Sequence, residues 1–146
     1  MKFDLIKENC IRVNVSAEGW EDAVTKAGNL LVEADIVVER YIKKMISNIK
    51  EMGPYLVIAP GIAMPHARPE DGVNESGVSL MTLEKPVRFG HEINDPVSLI
   101  VTLAAKDTTS HIEALAELMD LLGDQNKVEK MLNSKSEAEI IEIIRN

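Results

Sequence analysis

The sequence predicts an α/β fold: a single domain in which a mixed β-sheet carries helices on both faces. Segments of strand period alternate along the chain with segments of helical period, the order expected of a layered α/β domain. The run Val97-Ser98-Leu99-Ile100-Val101-Thr102-Leu103 is apolar on both faces apart from Ser98 and Thr102, as a central strand covered on two sides would be. No linker, low-complexity tract or internal repeat divides the 146 residues. A chain of that length can bury about two-thirds of its unfolded surface around one core. Residues 1–146 are therefore read as one domain.

Ile11, Val13 and Val15 alternate with Arg12 and Asn14, which predicts a short half-buried strand. Trp20, Ala23, Val24, Ala27, Leu30 and Leu31 then fall on one face of a helix. A second helix is expected over 35–52, with Val38, Ile42, Met45, Ile46 and Ile49 as its apolar stripe and Gly53-Pro54 as its stop. Residues 56–59 read as a brief strand. Residues 78–83 read as another, with Pro86 and Gly90 interrupting the chain and a further short strand at 87–89. Beyond the central strand, Ser110-His111-Ile112-Glu113 has capping-box form and opens a helix through Leu115, Leu118, Met119 and Leu122, closed by Gly123. A short helix is expected over 124–132. A second capping box, Ser136-Glu137-Ala138-Glu139, opens a last helix.

Composition narrows the function. Hydrophobic residues make up 45% and charged residues 27%, ordinary values for a globular chain. No apolar run approaches the ~20 residues that span a bilayer, and the N-terminus, with Asp4 and Glu8, lacks a signal-peptide pattern, so a cytoplasmic location is expected. A formal charge of −8 argues against a nucleic-acid partner. It also repels free anions, so any anionic group the protein handles is better delivered on a basic protein carrier. The single Cys10 forms no internal disulfide and is read as a small packed residue. There is no G-x-x-x-x-G-K-[ST] and no His/Cys ligand spacing, so neither nucleotide, metal nor other cofactor is expected.

The stretch Gly61-Ile62-Ala63-Met64-Pro65-His66-Ala67-Arg68-Pro69 stands out. Pro65 and Pro69 disfavour a regular helix through His66, so the imidazole should sit on a stiff turn among small residues. Such a ring suits attack on an electrophile, provided one nitrogen is tied to a carbonyl and the other left free. His111, directly after the presumed N-cap Ser110, would stand at a helix start, where free N–H groups favour an anion. Met64 is read as part of an apolar partner-docking rim. Arg68 is open between meeting a charged group of a ligand or partner and pairing with the neighbouring Glu70 or Asp71. His91, between Gly90 and Glu92, shows no motif that would give it a role.

These residues resemble the enzyme IIA domains of the bacterial sugar phosphotransferase system, mannitol/fructose type, whose active-site stretch has the form G-I-A-x-P-H-[GA]. The resemblance covers nearly the whole chain. Gly53-Pro54-Tyr55, Ala59-Pro60, Arg68-Pro69-Glu70, Phe89-Gly90-His91-Glu92 and Asn94-Asp95-Pro96-Val97 are similar to the ascorbate-specific branch. The resemblance implies the mannitol/fructose-type enzyme IIA fold. It also implies that Nε2 of His66 accepts a phosphoryl group from the phosphocarrier HPr and passes it to a cysteine of a cognate enzyme IIB, itself coupled to the membrane enzyme IIC. His111 matches the family's second active-site histidine, and Arg68, Met64 and Ser110 would complete a phosphoryl- and partner-binding set. Lys50 lies sixteen positions before His66 (66 − 50), roughly where mannitol-type members carry an arginine, and is read as a solvated helix-end lysine. The implied function is uptake of ascorbate or a related carbohydrate. The alternative is a phosphorylation-switched regulator of the nitrogen-type enzyme IIA class. The sequence leaves a homodimer open.

Overall fold

The computed structural model describes residues 5–146; Asp4, which enters the reading of the N-terminus above, lies outside the described residues. Among the described residues five strands form one mixed sheet: β1 (Ile6–Val15), β2 (Val57–Ala59), β3 (Ile62–Ala63), β4 (Gly77–Val87) and β5 (Val97–Ala104), in the order β1-β4-β5-β3-β2. β1 runs parallel to β4, β4 antiparallel to β5, β5 parallel to β3, and β3 antiparallel to β2. Among the described residues five α-helices cover the sheet: α1 (Trp20–Glu33), α2 (Glu39–Met52), α3 (Thr108–Leu122), α4 (Gln125–Leu132) and α5 (Glu137–Arg145). None of the described helices is long and apolar enough to cross a membrane.

The central strand is where its two apolar faces place it. Ile100 and Ala104 of β5 pack into a core with α1 and α2, whereas Leu99, Val101 and Leu103 pack into a second core with α3, α4 and α5. Two-residue alternation thus builds both halves of the interior from one strand. The polar residues of the inner faces are buried as well: Ser79 donates from Oγ to the Ala27 carbonyl of α1 at 3.0 Å. Cys10 is fully buried, and burial pushes its thiol pKa up, which suits the packing role.

Several boundaries differ from expectation. β1 begins at Ile6, five residues early, because Lys7, Glu8 and Asn9 lie exposed on an edge strand and hide the alternation. α2 begins at Glu39, not residue 35. Asp35 takes a left-handed φ of 60°, which drops Ile36 and Val37 into the core as irregular chain. Residues 77–87 form one strand with a register irregularity between Thr82 and Val87. Pairing with β1 has ended by Leu83, so Pro86 lies where no ladder partner is needed on that side. The strand at 56–59 proves to be half of a hairpin. Pro60 and Gly61 turn the chain, with Gly61 at φ 76°, and β3 then wedges between β2 and β5. Gly61 donates to the Asn94 carbonyl, and its own carbonyl accepts N–H bonds from Ser98 and Leu99. The small residues before the histidine therefore serve the hairpin and the core, with Ala63 fully buried, and do not clear space for a partner.

Candidate functional site

The hairpin delivers the chain to His66 alongside the end of β5. The Leu103 N–H donates to the Pro65 carbonyl at 3.1 Å, and His66 makes an isolated parallel bridge to Leu103. A buried hydroxyl fastens the next residue. Tyr41 Oη, from α2, accepts the Ala67 N–H at 2.9 Å and donates to the Leu103 carbonyl at 2.7 Å. Burial pushes the Tyr41 pKa up to about 12, so the group stays a hydroxyl able to do both. After Arg68 the chain closes into a short 3-10 turn, Pro69–Asp71, in which the Asp71 carboxylate accepts the Arg68 N–H at 2.9 Å.

Removing the Tyr41 hydroxyl should be costly for its size. Tyr41→Phe leaves a buried N–H and carbonyl without their partner, and should lower stability by about 1–3 kcal/mol in denaturant unfolding. The sign of the pH dependence follows from the raised pKa. Unfolded tyrosine ionises near 10 while the folded group holds its proton to about 12, so the hydroxyl's contribution is intact at neutral pH and is lost as pH rises through that window. A variant as stable as the native protein would sink this assignment.

The His66 ring is half-buried, and its Nδ1 lies 3.1 Å from the Met64 carbonyl. A carbonyl only accepts, so Nδ1 carries the proton and Nε2 keeps a free lone pair. The His111 ring approaches from α3, with centroids 5.7 Å apart and planes inclined at 49°. Burial, then the neighbouring His66, hold the His111 pKa below the ordinary 6.5. Both rings open on a cleft of about 650 Å³ walled by α2, the 66–71 loop and the start of α3.

Two expected site residues stand elsewhere. Met64 is only 2% exposed and its side chain belongs to the α3–α5 core with Ile62, because the alternation of β3 runs on one residue past the strand; what it gives the site is its main-chain carbonyl. Ser110 is not the N-cap. α3 starts earlier, at Thr108, with Asp107 as the cap whose carboxylate accepts the Ser110 N–H at 2.7 Å. A carboxylate three residues upstream out-competes the serine, and that hydrogen bond lowers the Asp107 pKa. His111 accordingly sits one turn inside the helix, its N–H bonded to the Asp107 carbonyl. By contrast Ser136 does cap α5, accepting the Glu139 N–H.

Arg68 lines the cleft but is 82% exposed, with a guanidinium nitrogen 4.0 Å from Glu70. His91 is elsewhere, and its Nδ1 accepts the N–H groups of Ile93 and Asn94 within a turn. Lys50 lies outside the cleft and pairs with Glu21 of α1 at 3.6 Å.

The model of the family described as "Phosphoenolpyruvate-dependent sugar phosphotransferase system, EIIA 2" matches residues 4–146. The chain belongs to this family. The ascorbate-specific phosphotransferase system EIIA component of Escherichia coli (strain K12) is 39% identical over 145 residues, 99% of this chain and 94% of that protein. The solution structure of the mannitol-specific cryptic phosphotransferase enzyme IIA from Escherichia coli superposes with a TM-score of 0.91 at 37% identity, covering 100% of both chains. Enzyme IIA of the mannitol system of Escherichia coli, in complex with phosphorylated enzyme IIB, aligns with a TM-score of 0.83 at 29% identity over 97% of this chain and 99% of that one. The mixed sheet with helices on both faces is thus the mannitol-type enzyme IIA fold, and the protein is a component of a sugar phosphotransferase system.

The residues that sequence reasoning missed include Lys44 and Asn48, which line this enzyme IIA cleft, and Tyr41, whose hydroxyl holds the His66 loop; all three are on α2. Tyr41 fits the apolar stripe, but its partners lie 26 and 62 residues away. Lys44 and Asn48 read as a solvated helix face until the His66 loop is laid against them.

Proposed function

We propose that this chain, acting as one enzyme IIA domain in the cytoplasm, relays phosphoryl groups from HPr to a cysteine of an enzyme IIB for uptake of ascorbate or a related carbohydrate. The observation that carries the reading is the Met64 carbonyl on Nδ1 of His66, which leaves Nε2 as a free nucleophile on a ring that shares an open cleft with His111. In the first step the phosphorus–nitrogen bond of phosphorylated HPr breaks as a bond to Nε2 forms. In the second, a cysteine thiolate of enzyme IIB takes the group and the imidazole nitrogen leaves. The first step needs no strong base, because Nδ1 holds the ring proton against the Met64 carbonyl and Nε2 offers its lone pair; in the second the attacking group is already a thiolate. The ascorbate assignment is supported by the 39% identity to the ascorbate-specific component.

Both contacts should be transient and modest in area, below ~1,200 Å². Met52 and Tyr55 line the cleft 58% and 45% exposed, and they take over the docking role expected of Met64. Incubation with enzyme I, HPr and phosphoenolpyruvate should give an acid-labile, base-stable phosphoprotein. It should discharge rapidly onto an ascorbate-type enzyme IIB and not onto its cysteine-to-serine variant. A phosphoprotein that stays loaded with intact enzyme IIB would refute the relay.

A further inference from the structure

Charge on the cleft wall poses a problem that two histidines do not solve. The lining carries the carboxylates of Glu51, Glu70, Asp71 and Asp107 against only two permanent cations, Lys44 and Arg68. A phosphoryl group brings roughly −1.5 to −2 further charge. Arg68 is turned to Glu70 and largely solvated, which leaves it little net field to offer. The Asp107 carboxylate meanwhile sits at the start of α3, where it offsets the helix's own positive end.

Lys44 is differently placed. The Tyr41 hydroxyl fixes α2 against the residue that follows His66. Lys44 and Asn48 lie three and seven positions further along, on the same helix face as Tyr41, and both line the cleft. Lys50 lies six positions beyond Lys44, about 240° around the helix at 3.6 residues per turn, which is why it faces Glu21 instead. Lys44 enters none of the ion pairs found among the described residues. Asn48 is half-buried beside it and brings an amide donor.

We propose that Lys44, assisted by Asn48, is the phosphoryl-binding cation of this cleft, its ammonium meeting the anionic oxygens as the group moves onto and off Nε2 of His66. This rests on the relay reading above. Lysine suits the task because a point charge on a flexible stem can follow a group whose bond partner changes from one carrier to the other. The ammonium keeps its proton throughout; only the phosphorus–nitrogen and phosphorus–sulfur bonds change.

The test separates phosphoryl contact from carrier docking and from fold. Lys44→Met should lower the maximal rate of phosphoryl uptake from phosphorylated HPr about tenfold, as expected for one charge-assisted hydrogen bond at a partly exposed site, with the KM for HPr unchanged. Lys44→Arg should restore most of the rate, and Lys50→Met should behave as native. With inorganic phosphate as probe, the His66 and His111 imidazole resonances of the native protein should shift at about fivefold lower concentration than those of Lys44→Met. A native rate in Lys44→Met, or a raised KM with the maximal rate intact, overturns the proposal. If the native protein takes no phosphoryl group from HPr, the relay reading fails by itself and the phosphate titration decides. Lys44-dependent binding then upholds the cation site, and Lys44-independent binding removes it.

Discussion

His66→Ala is expected to leave no detectable phosphoryl acceptance. Other nucleophiles in the chain are poorly disposed to take over. Cys10 is fully buried with a raised pKa, so it is neither reachable nor a thiolate. His91 has its Nδ1 committed to two backbone N–H groups in a turn outside the cleft. His111 shares the cleft, yet none of its contacts matches the Met64 carbonyl that fixes the tautomer of His66. The fold should tolerate the change, since a half-buried side chain with one hydrogen bond to lose contributes only about 0.5–1.5 kcal/mol through that bond. Phosphoryl stoichiometry after incubation with enzyme I, HPr and phosphoenolpyruvate is the measurement. One group per chain on a folded His66→Ala protein would mean that the nucleophile has been misassigned.

What the sequence made legible was whatever short-range periodicity encodes. Residues 97–103 announced a strand covered on two sides, and β5 is indeed the strand shared by both cores. The prolines around His66 announced an irregular segment, which is found bridged to β5 and outside any helix. The losses came where a neighbour distant in sequence decides. A two-residue strand has no alternation to read, so nothing local shows that β3 turns the Met64 side chain inward. Pattern alone does not rank Ser110, the expected cap, against a carboxylate three residues before it; Asp107 takes the position and moves His111 a full turn into α3. The polar face of α2 carries no mark of the cleft, because its relation to His66 is made by one hydroxyl reaching across 26 positions. Composition was similarly blind to place: the net charge of −8 says nothing of where charges lie, and only the fold shows that Glu51, Glu70, Asp71 and Asp107 share the cleft lining with Lys44 and Arg68.

His111→Ala should slow onward transfer roughly ten- to a hundredfold while leaving one phosphoryl group per chain, the loss of a hydrogen bond to a charged group felt mostly at the barrier. The pKa of His111 explains how the ring can serve both states of the protein. Before phosphorylation it is held low, first by burial and then by the charge that His66 acquires on protonation, so the ring is neutral at pH 7 and does not add charge beside the nucleophile. Its folded pKa lies below the unfolded value of 6.5, so the fold binds this proton less readily than the open chain does. Stability is therefore complete above pH 6.5 and falls as pH drops through the folded pKa. A phosphoryl dianion on Nε2 of His66 reverses the balance, because a nearby anion favours the imidazolium. The His111 titration, followed by the imidazole carbon-bound proton signals, should accordingly move upward on phosphorylation of His66. A charged ring would then donate a stronger hydrogen bond to the phosphoryl group, and would return to neutrality once the group had gone. Should the titration of His111 remain where it was, or should His91→Ala slow transfer as much as His111→Ala, the ring 5.7 Å from His66 would be a bystander to the chemistry.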